Sequence, residues 1–268
     1  MPDLDEISYS QEETIAAVRD YYHFLAKMYL PDSLVMEPPE GGWPGITHDN
    51  LGAMKKTDEV IELLRHLSYI RNENDGVNEA HAAPRCHFAN SAATSTQVAE
   101  GRTNAEDLKL LSEGVDTQDN VPSHVVGLML GGRDNPIILL DTELGTVHWL
   151  ECPGEIRYEP LCEQVSDDPY EYAPEEEAEW RVDAPAWAVA DFFEELKARF
   201  RELDFVPIGP REVRDTWTPE HPTDKGLLDL VRGVYREHHW PDIEQFDKQT
   251  CQEALRFALK DRYPDQVW

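Results

Sequence analysis

Three short apolar runs, joined by turn residues, limit most strongly what this chain can fold into. The runs are His124–Leu130, Ile137–Leu140 and Thr146–Leu150. Between them lie Gly131–Asn135, which is rich in glycine, aspartate and asparagine, and Thr142–Gly145, which ends in glycine. Consecutive strands joined by tight turns pair antiparallel. The sequence therefore predicts a three-stranded antiparallel meander.

The meander, at about residues 124–150, needs a partner, because neither three short strands nor one amphipathic helix can bury an apolar face alone. Pro185 begins a strong helical pattern that continues to Leu203. The apolar stripe of this pattern consists of Trp187, Phe193, Leu196, Phe200 and Leu203. We expect the helix at 185–203 to pack this stripe onto the meander.

Helical patterns flank this unit on both sides. A helix is predicted from about Gln11 to Leu30 and another after Thr57, and two more are predicted at about 224–237 and 247–262. Residues 71–102 show no period, and we expect an irregular loop there.

These patterns together predict one α+β domain over residues 1–268, in which helices pack a small antiparallel sheet and extra helices lie at both termini. Its core unit spans about 121–208. The N-terminal helical part spans 10–114, and the C-terminal helical extension spans 222–262.

The charge balance narrows the choice of partners. The chain has 54 acidic and 24 basic side chains, so its formal net charge is −30. Such a surface repels nucleic-acid backbones and anionic membranes, and we expect neither as a partner. No apolar run approaches the roughly 18 residues that span a bilayer, and the acidic N-terminus lacks the apolar core of a signal peptide. With four cysteines, an intracellular, reduced protein is expected, in the cytoplasm or the nucleus.

The acids are concentrated in residues 151–183, which contain twelve acids and two bases. The stretch Asp167–Glu179 has two prolines and little apolar content, so it predicts a solvated, mobile loop. One interpretation is that Glu175, Glu176 and Glu177 in this loop attract a basic protein partner. The other is a solubilising loop without a partner.

Motifs for catalysis or metal binding are not recognisable. His81, Cys86 and His87 lie near one another, but their spacing does not match the paired ligands of a structural zinc site. The sequence has no nucleophile elbow, and its glycine pair at Gly131–Gly132 precedes a strand and not a phosphate-binding helix. We therefore predict no catalytic residue, no metal and no cofactor.

Four further residues are candidates for binding. Trp43 lies in a segment rich in proline and glycine, where it either fills an apolar hollow or serves as a surface binding aromatic. Asp141 and His148 flank a turn, either as an acid–base pair or with Asp141 capping the turn by bonding its own backbone. For His148 and Trp149 the plainer interpretation is sheet packing.

The segment Pro136–Trp149 has a hydrophobic strand that ends in Asp141, turns at Gly145 and restarts with an apolar-aromatic strand. Together with Ala190, Asp191, Phe192, Phe193 and Leu196 in the following helix, it resembles the SUKH superfamily, which includes bacterial toxin-immunity proteins and the yeast cell-wall-synthesis regulator. This resemblance covers about residues 121–203. It implies an α+β interaction module without a cofactor.

A second resemblance lies outside that region. The segments Tyr21–Leu25, Met28–Leu30, Pro38–Pro44 and Tyr235–Pro241 are similar to those of a large group of uncharacterised filamentous-fungal proteins. This resemblance implies no particular activity.

Three functions stay open on the sequence. The first is a non-enzymatic, regulatory protein-binding module that works through its sheet face or acidic segment. The second is an enzyme acting on a small, secondary-metabolite-type substrate, with residues that converge only in three dimensions. The third, a polyanion mimic, would need acids in phosphate-like rows. A deep cleft with converging titratable groups would favour the enzyme, and a shallow concave face would favour the binding module.

Overall fold

The three apolar runs form antiparallel strands, as predicted, in a computed structural model that describes residues 1–71, 80–130 and 136–268. The predicted turn at Gly131–Asn135 lies outside the described residues. All strands pair antiparallel, in sheets of two, four and two strands. In chain order, the strands are β1 (Val35–Met36), β2 (Tyr69–Ile70), β3 (Val125–Gly127), β4 (Ile137–Asp141), β5 (Thr146–Leu150), β6 (Ala186–Ala188), β7 (Phe205–Pro207) and β8 (Val213–Asp215).

The helices complete an α+β fold, as the sequence predicts. In chain order, the α-helices of the described residues are α1 (Gln11–Met28), α2 (His48–Leu51), α3 (Asp58–His66), α4 (Ser91–Ala99), α5 (Ala105–Glu113), α6 (Gly154–Arg157), α7 (Pro169–Tyr172), α8 (Glu175–Asp183), α9 (Val189–Glu202), α10 (Leu227–Glu237) and α11 (Lys248–Arg262).

The central sheet has the strand order β3-β4-β5-β6, so it contains a fourth strand that the sequence analysis did not predict. Trp187 was assigned to a helix stripe, but it lies in β6 opposite Val147. The helix begins only at Val189. The physical reason is that β5 offers backbone groups that Ala186–Ala188 can pair with, and a short apolar run does not reveal by its period whether it is strand or helix.

Both faces of the central sheet are buried, which explains why all five residues of β5 are buried. One face, with Ile138, Val147 and Trp149, belongs to the main core. The other face carries Leu139 and Leu150, which pack with residues of α8. Because consecutive strand residues point to opposite faces, His148 faces α8 whereas Trp149 faces the main core.

The outer edges of the central sheet are covered by other parts of the chain. At the β6 edge, the carbonyl oxygen of Ala186 accepts a hydrogen bond of 2.8 Å from the N–H of Val165. At the opposite edge, the chain leaving β3 bridges to Phe88 at Met129, and the carbonyl oxygen of Leu128 accepts a hydrogen bond of 2.9 Å from Ala89. Loop segments thus form hydrogen bonds with backbone carbonyl groups at both edges of the sheet.

Helix α9 lies between the central sheet and α1. Phe192, which the predicted stripe leaves out, makes the edge-on ring contacts with Trp149 and Trp187 of the sheet, at centroid distances of 6.1 and 5.9 Å. The predicted residue Phe193 is buried but contacts the ring of Tyr21 in α1, 5.5 Å away. The stripe is therefore buried as predicted, while part of it faces α1 and not the sheet.

The main core joins the regions that the sequence separates. It contains buried side chains from α1, from the central sheet and from α10 and α11. The C-terminal helices are present close to their predicted bounds, with Asp247 accepting a hydrogen bond at the start of α11.

Two predicted loops contain helices, although residues 80–90 are irregular as predicted. Within 71–102, the side chain of Asn90 accepts a hydrogen bond of 2.9 Å from Ala93 and caps α4, while residues 72–79 lie outside the described part. In the acidic stretch, Asp168 caps α7 and Pro169 opens it, and α8 follows. The prediction of a loop was therefore wrong for α7 and α8, because one side of α8 buries Trp180 and Arg181, while most acids of the stretch are exposed as predicted.

No α-helix in the described residues combines the length and apolar character needed to cross a membrane.

Replacing Phe193 by alanine tests the position of α9. Phe193 is 1% exposed between the sheet and α1, so Phe193→Ala should lower the free energy of unfolding by about 3–5 kcal/mol. Phe257→Ala is the matched control, because Phe257 is 78% exposed on α11 and its truncation should change stability by less than about 0.5 kcal/mol. Urea unfolding measures both. Equal effects of the two substitutions would contradict this packing.

Candidate functional site

The acidic segment presents its charges from two short helices. Seven of the acids in residues 167–183 are exposed, and we call them the acidic strip: Asp167, Asp168, Glu171, Glu175, Glu176, Glu179 and Asp183. Exposed apolar side chains lie among them, at Tyr170, Tyr172 and Val182. The predicted binding residues Glu175 and Glu176 belong to this strip, whereas Glu177 is turned inward and half-buried.

Arg181 holds α8 against the central sheet. Its side chain is almost fully buried, and its Nη2 atom lies 2.6 Å from Oδ2 of Asp141 in β4 and 2.6 Å from Oε1 of Glu177. The guanidinium also lies over the ring of Trp180, 4.6 Å from its centroid. Burial alone lowers the pKa of Arg181, but Asp141 and Glu177 outweigh it, so that the pKa is raised. The one base among residues 167–183 is therefore neutralised inside the protein.

Asp141 combines two functions in its buried carboxylate. Oδ1 accepts hydrogen bonds from the backbone N–H groups of Glu143 and Leu144, at 2.8 and 2.9 Å, which is the turn-capping geometry that the sequence indicated. Oδ2 accepts the hydrogen bond from Arg181. Asp141 thus joins the β4–β5 turn to α8.

His148 is part of the same buried cluster. Its Nε2 atom lies 3.0 Å from Nη1 of Arg181, and it must accept there because a guanidinium can only donate. Burial and the charge of Arg181 lower the pKa of His148 to about 3, and Asp141 offsets this only in part. The structure therefore brings Asp141 and His148 together, but Arg181 lies between them and solvent does not reach either side chain. This arrangement stabilises the fold and offers no position for a substrate.

Trp43 is remote from this cluster. Its indole Nε1 donates a hydrogen bond of 2.8 Å to the carbonyl oxygen of Leu67, and its ring packs at 6.0 Å from that of Tyr69. The half-buried ring fixes the proline- and glycine-rich segment, in line with the apolar-hollow interpretation.

Trp149 lines a cavity of about 340 Å³ on the other side of the sheet from α8. Phe205 and Trp217 contribute further aromatic walls, and Arg85 and Glu151 contribute charges. The sequence analysis named Trp149 but missed the other four residues, which come from three separate segments of the chain. No local pattern connects these segments.

Two further cavities lie along the β7–β8 hairpin: one of about 360 Å³ shares Arg85 and Asp215 with the first, and one of about 700 Å³ adjoins the second at His81 and Glu212. Several of their charged groups are held by other parts of the protein. Arg214 donates to Asp224 at 2.8 Å and to Glu212 at 2.8 Å. The carboxylate of Glu220 accepts the N–H groups at the start of α10. These groups stabilise the hairpin and the helix.

A metal site is not formed by the described residues, among which no group of three or more histidine, cysteine or acidic side chains is arranged to hold an ion. His81 and His87 do approach each other, with ring centroids 4.8 Å apart. The four cysteines are free thiols.

No family model matches the chain, and no curated protein or solved structure is significantly similar to it. The resemblances to the SUKH superfamily and to the fungal proteins therefore stay predictions.

Removing Arg181 tests the anchoring of α8. Arg181→Met leaves the carboxylate of Asp141 buried without its counter-ion, so the free energy of unfolding should fall by about 3–5 kcal/mol. Adding Asp141→Asn removes the orphaned charge and should restore part of this loss. Arg236→Met on the exposed side of α10 is the control, with an expected change below about 0.5 kcal/mol. If Arg181→Met matched that control in chemical denaturation, the ion pair would not anchor the helix.

His148 predicts a pH dependence of stability. Below about pH 6.5 the imidazole takes up a proton in the unfolded chain, but in the folded protein it stays neutral until about pH 3. The unfolded state then binds more protons, so stability falls as the pH is lowered, by up to about 1.4 kcal/mol per pH unit. His148→Asn should flatten the curve of unfolding free energy between about pH 6.5 and 4.5. Parallel curves for the two proteins would contradict the assignment.

Proposed function

We propose that this protein is a non-enzymatic binding module, of the interaction type that the SUKH resemblance implies, and that it binds a basic protein partner through the acidic strip. The observation that carries this proposal is the mixture of seven exposed acids with exposed Tyr170, Tyr172 and Val182 on α7 and α8. Tyrosine is enriched at the centre of protein interfaces, whereas a purely solubilising segment has no need of exposed aromatic rings.

The charges of the strip act together. Residues 167–183 contain eight acids, and their one base is buried in ion pairs with Asp141 and Glu177. The fields of the exposed acids therefore add, in a chain whose net charge is already −30. Such a field speeds the encounter with a basic partner more than it deepens the final affinity.

The strip is also held in place. Trp180 donates a hydrogen bond of 3.2 Å from its indole to the carbonyl oxygen of Asn120, and Arg181 links the same helix to β4. A partner that binds a preorganised surface loses less conformational entropy on ordering it than one that binds a mobile loop. We also propose an intracellular, reducing setting, which the four free thiols support.

A second candidate function is an enzyme that acts on a small molecule, and the aromatic cavity beside Trp149 favours it. The ionisable groups in its lining are Arg85, Glu151 and Asp215. The carboxylate of Asp215 already accepts hydrogen bonds from the N–H and the hydroxyl of Thr218. This lining is better suited to recognition than to proton transfer.

Neutralising the strip tests the proposal. A protein captured from the native extract by the wild type should be basic, and it should associate more slowly with a triple variant in which Glu175, Glu176 and Glu179 are replaced by glutamine. In the matched control, glutamine replaces Glu12, Glu13 and Glu244, which are also exposed. Glu12 and Glu13 lie in the first turn of α1, just as Glu175 and Glu176 lie in the first turn of α8. Both variants have the same net charge.

The association rate is measured over a range of salt concentrations, because at about 0.15 M the Debye length is already about 8 Å. The strip variant should show a slower rate and a flatter salt dependence than the control. Tyr170→Ala should instead raise the dissociation rate, since Tyr170 is 57% exposed and offers a contact surface. Equal association rates for strip variant and control at low salt would refute the proposed docking.

A further inference from the structure

The cavity beside Trp149 differs from the acidic strip in place and in chemistry. We infer that it binds a small zwitterion with a planar apolar body, of the chemical class of an aromatic α-amino acid. Its volume of about 340 Å³ lies within the range of small-molecule sites, which is about 300–1,000 Å³. The inference rests on the walls, the charges and the backbone of the cavity.

The walls suit a flat apolar group. Trp149 and Phe205 are buried side chains of β5 and β7, and the ring of Trp217 lies 5.8 Å from that of Phe205 at an angle of 59°. Pro84 and Pro153 add rigid apolar surface. Aromatic walls of this kind favour offset or edge-on stacking with a ligand ring.

The charges suit a ligand that carries both signs. Arg85 and Glu151 line the same cavity and are exposed, and neither has an ion-pair or hydrogen-bond partner among the residues that the structure describes. A guanidinium matches a carboxylate with two parallel hydrogen bonds, and a carboxylate such as Glu151 accepts from an ammonium group. An amino acid provides both groups.

The backbone at both charges is strained. Of the five non-glycine residues with a left-handed φ in the described part of the chain, Arg85 (56°) and Glu151 (54°) both line this cavity. Arg85 follows Pro84 in a turn closed by a hydrogen bond of 3.0 Å from the N–H of Cys86 to the carbonyl oxygen of Ala83. That turn position favours glycine, so an arginine there costs stability. Strain of this kind concentrates at binding sites.

The cavity is independent of the proposed docking strip. Trp149 faces the main core and α9, whereas α8 covers the opposite face of the sheet through His148 and Leu139. A variant of the strip should leave the cavity unchanged, and a variant of the cavity should leave the strip unchanged. The two proposals therefore fail separately.

Calorimetric titration of the full chain with L-phenylalanine tests the inference. Two truncated ligands test the two charged groups one at a time. The ligand 3-phenylpropionate lacks the ammonium group, and phenethylamine lacks the carboxylate. Phenylalanine should bind with saturation, and each truncated ligand should bind at least about tenfold more weakly, because a hydrogen-bonded charge is lost.

The variant Arg85→Gly removes the guanidinium and also relieves the strained turn. Its thermal midpoint should stay the same or rise, while its affinity for phenylalanine and 3-phenylpropionate should fall at least about tenfold and its affinity for phenethylamine should not change. Lys55→Gly is the matched control, since Lys55 is an exposed base with φ 57° that does not line this cavity. It should bind all three ligands as the wild type does.

The variant Glu151→Gln completes the test. It should lower the affinity for phenylalanine and for phenethylamine, and it should leave the affinity for 3-phenylpropionate unchanged. The inference is overturned if phenylalanine shows no saturable binding to the wild type. It is also overturned if Arg85→Gly binds phenylalanine as tightly as Lys55→Gly does.

Discussion

The contact of α9 with two different layers is the interaction on which the rest of the structure depends. Phe192 packs against Trp149 and Trp187 of the sheet, while Phe193 and Phe200 pack against rings of α1. Helix α9 thus buries apolar surface of both the sheet and α1, and burial of apolar surface supplies the main favourable free energy of folding. The same packing fixes Trp149, and with it one wall of the ligand cavity.

The buried charges explain how so acidic a chain keeps its helices in place. Arg181 is taken out of water together with Asp141 and Glu177, and its Nη1 donates to the neutral imidazole of His148. A buried ion pair seldom adds stability compared with apolar residues, but a lone buried charge is very unfavourable. The cluster therefore specifies where α8 lies more than it strengthens the fold, and it leaves no base on the outer side of that helix, where acids lie beside Val182.

The three strands of the meander and most of the longer helices could be predicted because their patterns are local. Helix α8 could not be predicted, because the acids on its outer side suggest a solvated loop. The residue that pairs with its buried Arg181 is Asp141, which lies forty positions earlier in the chain. Trp187 was misassigned because a three-residue apolar run fits either type of element. Arg85, Glu151 and Trp217 come together only when three distant segments meet, so the cavity had no signal in the sequence.

The covered edges of the central sheet limit the ways in which another chain can attach. An open edge strand can take up an additional strand through main-chain hydrogen bonds, as in β-augmentation and in aggregation. Here Val165 bonds to β6, and Ala89 bonds to the chain that leaves β3. A strand from another molecule would have to displace these segments first. Attachment of another chain to the central sheet would therefore have to use its side chains or begin by opening these contacts.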